Sequence, residues 1–306
     1  MSTPRCIAGI DMGGTRIKAV LHNAANDEEI DRRIEPTGDT GEATNGTPAW
    51  ASAIRNLIEV WEGQHGVIIE AVGIACPGLA ARDGRSIEHL PGKLEGLVGF
   101  NFSDFLGRHC RMINDAHAAM LGEVDSGVAQ GMSDVVMLTL GTGVGGAILS
   151  NGQLLRGRIG RAGHCGHMCV DAWAEESGVT GTPGSLEIAI GNYTIEARSN
   201  GRFPSTLDLI NALKHNDAEA VAIWERSIEA LAGGVTSLIN ILDPQAVVIG
   251  GGIAEVGDLL FEPLKAHLNR IEWRPGGHAV DILHASLGEW AGAIGALSNI
   301  KTAKTS

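Results

Sequence analysis

"GIDMGGTRIK", residues 9–18, is the stretch that decides the fold. The preceding "RCIAGID" is apolar enough for a buried strand, and "TRIKAVLHN" has the pattern of a second strand. Gly13 and Gly14 allow the backbone to turn tightly and to approach a ligand without a Cβ in the way. The stretch therefore predicts a strand, a glycine turn and a returning strand, with Asp11, Thr15 and Lys18 near the turn.

Two further glycine turns each follow a buried strand, in "LTLGTGVGGAIL" at 138–149 and in "QAVVIGGGIAEV" at 245–256. Amide groups in such turns converge on phosphate oxygens, but tight strand connections also use glycine for geometry alone. The turn at Gly141, Gly143 and Gly146 formally matches the dinucleotide pattern G-x-G-x-x-G. That pattern requires a helix to begin at the turn. "AILSNGQLL" follows instead and is typical of a strand and turn. A β-hairpin whose glycine turn binds phosphate fits the sequence at 138–149 better.

Strands alternate with helical segments along the chain, which predicts an α/β architecture. Helical spacing is clear after Pro48, from Asp115, over 205–241, after Gly252 and in the last segment, "GEWAGAIGALSNIKT". A length of 306 residues suggests about two domains. No low-complexity linker divides the halves, so we expect closely packed domains that exchange segments.

The composition narrows the possible partners and compartment. The net charge of −13 repels nucleic acids and anionic membranes, and the basic residues form no large patch. No run approaches the ~20 apolar residues of a membrane span, and no signal peptide precedes the first strand. Five cysteines, an odd number within mostly apolar segments, suit free thiols in a reducing cytosol. We therefore expect a cytoplasmic protein without nucleic-acid or membrane partners.

These motifs together resemble the superfamily of sugar kinases, heat-shock 70 proteins and actin. "GIDMGGTRIK" is similar to its first phosphate motif, "LTLGTGVGGAIL" to its second, and "DPQAVVIGGGIAE" to its adenosine motif. "MINDAHAAMLGE", "GIACPGLAARDG" and "LGEWAGAIGAL" narrow the resemblance to the ROK family of bacterial sugar kinases and sugar-responsive repressors. Family repressors carry a DNA-binding segment before the first phosphate motif, whereas ten residues precede Asp11 here. The resemblance therefore implies a kinase.

The resemblance implies a two-lobed, actin-like (ribonuclease H-like) α/β fold with the active site in the cleft between the lobes. We expect residues 1–115 plus the C-terminal helix at 289–306 to form the smaller lobe, and residues 116–288 the larger one. It also implies ATP and Mg²⁺ as cofactors, a sugar as the substrate, and a homodimer.

The family motifs assign site residues in this chain. Those implied to bind ATP and its phosphates are Asp11, which also faces Mg²⁺, Gly13, Gly14, Thr15, Lys18, Thr142, Gly143, Gly250, Gly251 and Gly252. Those implied to bind the sugar are Pro77, Gly78, Asn114, Asp115, His164, His167 and Glu187.

Asp115 is the implied catalytic base, since a carboxylate can accept the proton of the attacking hydroxyl. The plainer interpretation is that Asp115 only caps the helix that begins there, a common role for aspartate. The surrounding motifs favour the catalytic role.

The segment "GHCGHMCVD", residues 163–171, departs from the family pattern G-E-x-G-H followed by zinc-binding cysteines. Gly178, Thr180 and Ser185 stand where the family has those cysteines, so the usual zinc site cannot form. Cys165, His167, Cys169 and Asp171 would alternate along one face of a strand, with neighbours ~6.5–7 Å apart, too far for four zinc ligands in a row. We expect no structural zinc and buried free thiols here.

His164 occupies the position of the family's sugar-binding glutamate, whereas His167 and Glu187 are retained. A neutral imidazole offers one donor and one acceptor where a carboxylate only accepts, so the identity of the sugar stays open. A structural histidine at 164 is the plain alternative. Two other functions also stay open: a non-catalytic sugar or nucleotide sensor of the same fold, and a kinase that uses polyphosphate in place of ATP.

Overall fold

The computed structural model describes residues 3–39, 46–90, 92–178 and 181–302. Thr180, one of the three positions where the family has a zinc cysteine, lies outside the described residues. In chain order, the elements are β1 (Arg5–Met12), β2 (Arg16–Asn23), β3 (Glu29–Pro36), α1 (Ala49–His65), β4 (Ile68–Cys76), β5 (Leu79–Ala80), β6 (Ile87–His89), α2 (Phe102–Leu106), β7 (His109–Asn114), α3 (Asp115–Ser126), β8 (Val135–Leu140), β9 (Val144–Ser150), β10 (Gln153–Leu154), α4 (Leu186–Ile190), α5 (Ile195–Arg198), α6 (Thr206–Lys214), α7 (Ala218–Leu242), β11 (Ala246–Gly250), α8 (Asp258–Ile271), β12 (Asp281–His284) and α9 (Ala291–Thr302).

The chain divides into two compact units of nearly equal length. The first unit comprises Met1–Gln130, Arg156–Arg161 and Glu289–Ser306, and the second comprises Gly131–Leu155 and Ala162–Gly288. The alternation of strands and helices confirms the α/β architecture expected from the sequence.

The first unit is built on a five-stranded sheet with the order β3-β2-β1-β4-β7. Strands β1, β4 and β7 run parallel, β2 is antiparallel to β1, and β3 is antiparallel to β2 and so runs in the direction of β1. Helix α1 buries Trp50, Ile54 and Trp61 in the core that covers one face of this sheet. Helix α9 packs on β1 and β4 so closely that a Cβ on Gly73 would lie 1.9 Å from the carbonyl oxygen of Ala296.

The second unit is built on another five-stranded sheet, with the order β10-β9-β8-β11-β12. Strands β8 and β9 form the antiparallel hairpin expected around the second glycine turn, and β11 lies parallel to β8. The long helix α7 and helix α8 cover this sheet with a continuous row of buried apolar side chains, among them Trp224, Leu231 and Leu264.

The boundary between the units differs from the sequence-based division after residue 115. Helix α3 belongs to the first unit, since its backbone lies directly on that of α9: a Cβ on Gly295 would stand 1.6 Å from the carbonyl oxygen of Ala118. The C-terminal helix lies in the first unit, as expected. Within the described residues, none of the helices is both long enough and apolar enough to span a membrane.

Candidate active site

The first glycine turn connects β1 to β2 and is fixed by several hydrogen bonds. The amide of Gly13 donates to the carbonyl of Arg16 at 3.0 Å, and the hydroxyl of Thr37 donates to the carbonyl of Gly13 at 2.6 Å. The amide of Thr37 donates to the carbonyl of Thr15 at 3.0 Å. The turn is therefore held from both sides, and the Asp39 carboxylate lies 3.9 Å from the position that a Cβ on Gly14 would take.

Asp11, near the end of β1, is a buried carboxylate in an unfavourable electrostatic setting. Burial is the main cause that raises its pKa to about 7, and the carboxylate of Asp115 raises it further. Lys18, directly opposite Asp11 in the β1–β2 pair, lowers this pKa in part. The Lys18 ammonium also lies 3.8 Å from the carboxylate of Glu289. A positive charge near Asp11 and Asp115 would be strongly favoured.

The cap of helix α3 is Asn114 and not Asp115. The Asn114 carboxamide oxygen accepts from the amides of Ala116 and His117 at 3.0 and 3.2 Å. Its Nδ2 donates to the carbonyl of Gly78, the glycine after Pro77, at 3.0 Å. The plainer interpretation of Asp115 as the helix cap is therefore wrong, although its carboxylate accepts from the neighbouring amide of Ala116 at 2.8 Å.

Gly78 is required by the backbone at this point. Its φ of +101° lies in a region that L side chains rarely adopt, and a Cβ would stand 2.6 Å from the carbonyl oxygen of His89.

Cys76, at the end of β4, lies near the carboxylates of Asp11 and Asp115. Burial, together with Asp115 and Asp11, raises the pKa of its thiol well above the usual value, so Cys76 is a neutral side chain.

In the second unit, the turn at Gly141–Gly143 joins β8 to β9. The segment 163–167, which contains His164 and His167, packs against this hairpin. A Cβ on Gly146 would lie 2.5 Å from the carbonyl oxygen of Gly163, and one on Gly166 would lie 1.9 Å from that of Val144. The third glycine of the formal dinucleotide pattern therefore permits close backbone packing, and it does not begin a helix.

The segment at 165–167 forms a short 3₁₀ turn, so the strand geometry considered for the four possible zinc ligands does not apply there. The close packing of Gly166 on Val144 forces the chain to turn there. Cys165 is buried but Cys169 is exposed, so only the first of these thiols is buried as expected. Within residues 3–39, 46–90, 92–178 and 181–302, no three His, Cys, Asp or Glu side chains are grouped so as to hold a metal ion.

Glu187, in the first turn of α4, is a buried acceptor beside His167. Its Oε1 makes no hydrogen bond within the described residues, and His167 Nδ1 lies 3.4 Å away, at ion-pair distance. A Cβ on Gly143 would lie 2.9 Å from Glu187 Oε2. The rings of His164 and His167 are nearly parallel, with centroids 6.3 Å apart. These three predicted sugar-binding side chains thus share one region, next to the second glycine turn.

Gly178 and Ser185, two positions where zinc cysteines are missing, are neighbours. The position of a Cβ on Gly178 lies 3.3 Å from Ser185 Oγ, 3.0 Å from Glu187 Oε1 and 3.1 Å from the Tyr193 hydroxyl. Ser185 Oγ is buried and makes no hydrogen bond with any residue that the structure describes. The fold therefore brings positions 178 and 185 together, but the side-chain atoms around them are oxygens of Ser185, Glu187 and Tyr193, and no thiolate is among them.

The third glycine turn has one member that faces open space. A Cβ on Gly250 would lie 2.9 Å from that of Ala285, and one on Gly251 would lie 2.3 Å from the carbonyl oxygen of Leu140. Gly252 has no atom within 4 Å of a Cβ position and lines a cavity of about 310 Å³. Gly250 and Gly251 permit packing at the strand ends, whereas Gly252 opens onto the cavity.

The same cavity is lined by residues that sequence reasoning missed. Gly141 and Thr142 of the second turn meet Asn192, together with Thr206 and other residues of helix α6. Its volume is within the usual range of ligand sites, roughly 300–1,000 Å³. The sequence predicted helix α6 but placed neither it nor Asn192 at the cavity, because that position depends on contacts with Gly141, Thr142 and Gly252, which are far away in the chain.

The comparisons with known proteins agree with these motifs. A family model described as the ROK family matches residues 7–303. The chain belongs to the ROK family.

Two curated relatives and two solved structures are similar to this ROK protein over almost all of their length. A glucokinase of Halalkalibacterium halodurans is 28% identical, with 95% of this chain and 93% of the relative covered. An N-acetylmannosamine kinase of Pasteurella multocida is 29% identical, with 95% of each covered. The ROK hexokinase of Thermus thermophilus has a TM-score of 0.84 at 28% identity, covering 98% and 99% of the chains. A ROK glucokinase of Streptomyces griseus, solved with glucose and AMPPNP, has a TM-score of 0.75 at 26% identity, covering 97% and 99%. The fold of this ROK protein is therefore the two-lobed, actin-like sugar kinase fold.

Proposed function

We propose that this ROK protein transfers the γ-phosphoryl group of ATP to a sugar hydroxyl, with Asp115 as the general base. The observation that carries this proposal is the position of Asp115 in the first turn of α3, while Asn114 supplies the cap. The Asp115 carboxylate is close enough to Asp11 to raise the pKa of that group. Family membership and relatives named as sugar kinases support the reaction class.

In the proposed reaction, the sugar hydroxyl oxygen forms a bond to the γ-phosphorus as the bond between that phosphorus and the leaving ADP oxygen breaks. Asp115 accepts the hydroxyl proton, which makes the oxygen a better nucleophile. The carboxamide of Asn114 is largely committed to the helix cap and to Gly78, so we propose that its remaining N–H contacts the sugar. Pro77 and Gly78 shape this edge of the site.

We propose that the sugar hydroxyls bind to His164, His167 and Glu187 in the second unit. The buried Glu187 Oε1 without a hydrogen bond supports this, since a buried carboxylate oxygen costs free energy until a donor such as a hydroxyl reaches it. The names of the relatives favour a hexose or an N-acetylhexosamine.

For the phosphates, we propose the amides of Gly13 and Gly14, the hydroxyl of Thr15 and the ammonium of Lys18 in the first unit. Thr142 and Gly143 would supply contacts in the second unit, and Gly252 the floor of the nucleoside cavity. A cavity beside the second phosphate turn favours ATP over polyphosphate, because polyphosphate has no nucleoside to fill it.

The residues at Asp11 fit a divalent cation. A buried carboxyl with a pKa of about 7, beside a second carboxylate, gains stability from a nearby cation and from oxygen ligation. Mg²⁺ bound with ATP would neutralise phosphate charge there. We further propose a homodimer located in the cytoplasm, as expected for this family and for this composition.

The test is an ATP-consumption screen over hexoses, N-acetylhexosamines, ketoses and polyols, followed by Asp115→Asn on the best substrate. We expect kcat to fall by about 10²–10⁴-fold while AMPPNP binding is retained, since only proton acceptance is lost. Asp258→Asn is the matched control, because Asp258 also begins a helix but is exposed.

An unchanged kcat in Asp115→Asn would contradict the base assignment. Turnover with polyphosphate but not with ATP would favour the alternative phosphoryl donor. Sugar and nucleotide binding without any turnover by the wild type would favour a sensor.

A further inference from the structure

Asn192 lies where the sugar-binding helix α4 is followed by the short helical turn Asn192–Thr194. Its Oδ1 accepts from the amide of Thr206, the first residue of α6, at 2.7 Å. A backbone N–H can only donate, so this bond fixes which branch of the carboxamide is the oxygen. The Nδ2 branch has no hydrogen-bond partner within the described residues.

The backbone around Asn192 is held on both sides. The amide of Gly191 donates to the carbonyl of Glu187 at 2.8 Å, and the amide of Asn192 donates to the carbonyl of Gly141 at 3.0 Å. The amide of Tyr193 donates to the carbonyl of Thr142 at 3.0 Å. Residues 191–193 therefore connect α4 directly to the second glycine turn, and the position of the Asn192 carboxamide is well defined.

Asn192 is also part of the wall of the cavity at Gly252. Most of this wall is apolar or backbone, including Ile210 and Ile253. Thr206 lines the cavity too, but its Oγ1 is buried beneath the surface and has no hydrogen-bond partner in the described part of the chain. Asn192 therefore brings a carboxamide with an uncommitted N–H group to the wall of a mostly apolar cavity, and such isolated polar groups fix the orientation of a ligand.

We propose that Asn192 is a specificity-determining residue that donates a hydrogen bond from Nδ2 to the nucleoside of the bound nucleotide. Its Oδ1 and its backbone amide meanwhile hold α6 and the Gly141–Gly143 turn at the cavity. The inference rests on the proposed use of ATP. It adds a direct nucleoside contact that none of the glycine motifs contains.

Two variants separate this contact from a purely structural role. Asn192→Asp keeps the acceptor for the Thr206 amide but removes the donor, so we expect an unchanged melting temperature. Its Kd for adenosine should rise about 5-fold, the value of one hydrogen bond of roughly 1 kcal/mol. Its Kd for AMPPNP should rise at least about 10-fold, because the new carboxylate also repels phosphate. Asn192→Ala should weaken adenosine binding similarly and lower the melting temperature as well.

Calorimetric titrations of the full chain with adenosine and with AMPPNP provide the measurement, with circular dichroism melting as the second readout. Asn211→Ala, exposed on the same helix α6, is the matched control and should bind both ligands as the wild type does. Adenosine affinities within 2-fold of the wild type in both Asn192 variants would overturn the proposal. A wild type that phosphorylates no sugar with ATP would instead contradict the proposed function, so the two failures are distinguishable.

Discussion

The burial of Asp11, a proposed cation-binding residue, costs free energy of folding. The native fold holds its carboxyl in a buried position, with a pKa of about 7, against an ordinary value of 3.8. The folded state therefore binds this proton more tightly than the unfolded state does. The contribution of Asp11 to stability is therefore greatest below about pH 4 and is lost as the pH rises toward 7, because the unfolded chain releases this proton while burial and Asp115 keep the native carboxyl protonated.

Asp11→Asn removes this ionisation and should stabilise the free protein increasingly at higher pH. We expect the gain in unfolding free energy to be about 1 kcal/mol larger at pH 8.5 than at pH 6, with activity lost. Thermal melting of the two proteins at both pH values measures this, with Asp258→Asn as an exposed control. A gain of equal size at both pH values would contradict the raised pKa.

His164 is the residue that most distinguishes the proposed sugar site from the family pattern. Its ring lies parallel to that of His167, and both belong to a turn fixed by close packing of Gly166 on Val144. His164→Glu exchanges a group that can donate for one that only accepts. We expect kcat/KM to shift toward glucose and to fall for the native sugar by about 5–150-fold, or 1–3 kcal/mol.

The measurement is kcat/KM for the native sugar and for glucose in parallel. His278→Glu, a change at an exposed position of the same unit, should leave both values unchanged. If His164→Glu ranks the sugars as the wild type does, then His164 is a structural histidine.

Helix α9 packs very closely on its neighbours, because its glycine and alanine residues let its backbone approach theirs. Gly295 lies against the Ala118 carbonyl of α3, and Gly292 lies against the side chain of Asp11. The start of α9 therefore helps to confine the Asp11 carboxylate that the site uses.

Gly295→Ala should destabilise the protein by at least about 2 kcal/mol, since its Cβ would stand 1.6 Å from a carbonyl carried by another helix. Gly233→Ala is the matched control in helix α7, where a Cβ meets no atom within 4 Å. It should stabilise by up to about 1 kcal/mol through helix propensity. Urea unfolding of both variants is the measurement, and equal effects would contradict the packing argument.

For the whole molecule, the metal content is the property that most separates this chain from the family pattern. Gly178 and Ser185 are brought together but carry no thiol. We predict less than stoichiometric zinc in the purified protein and an unchanged melting temperature after chelation, because a structural zinc would contribute directly to folding. Elemental analysis before and after dialysis, with a zinc-supplemented sample as control, tests this. One zinc per chain after dialysis would overturn it.

The order of strands and helices, the three glycine turns and membership of the ROK family follow from the sequence, because local periodicity and turn residues encode them. Only the structure shows that these glycines have different roles: Gly146 allows close packing on Gly163, whereas Gly252 lines the cavity. It also makes Asn114 the helix cap and brings Asn192 to the cavity wall. These outcomes depend on close contacts between residues far apart in the chain, and no local pattern records which backbone atoms will meet.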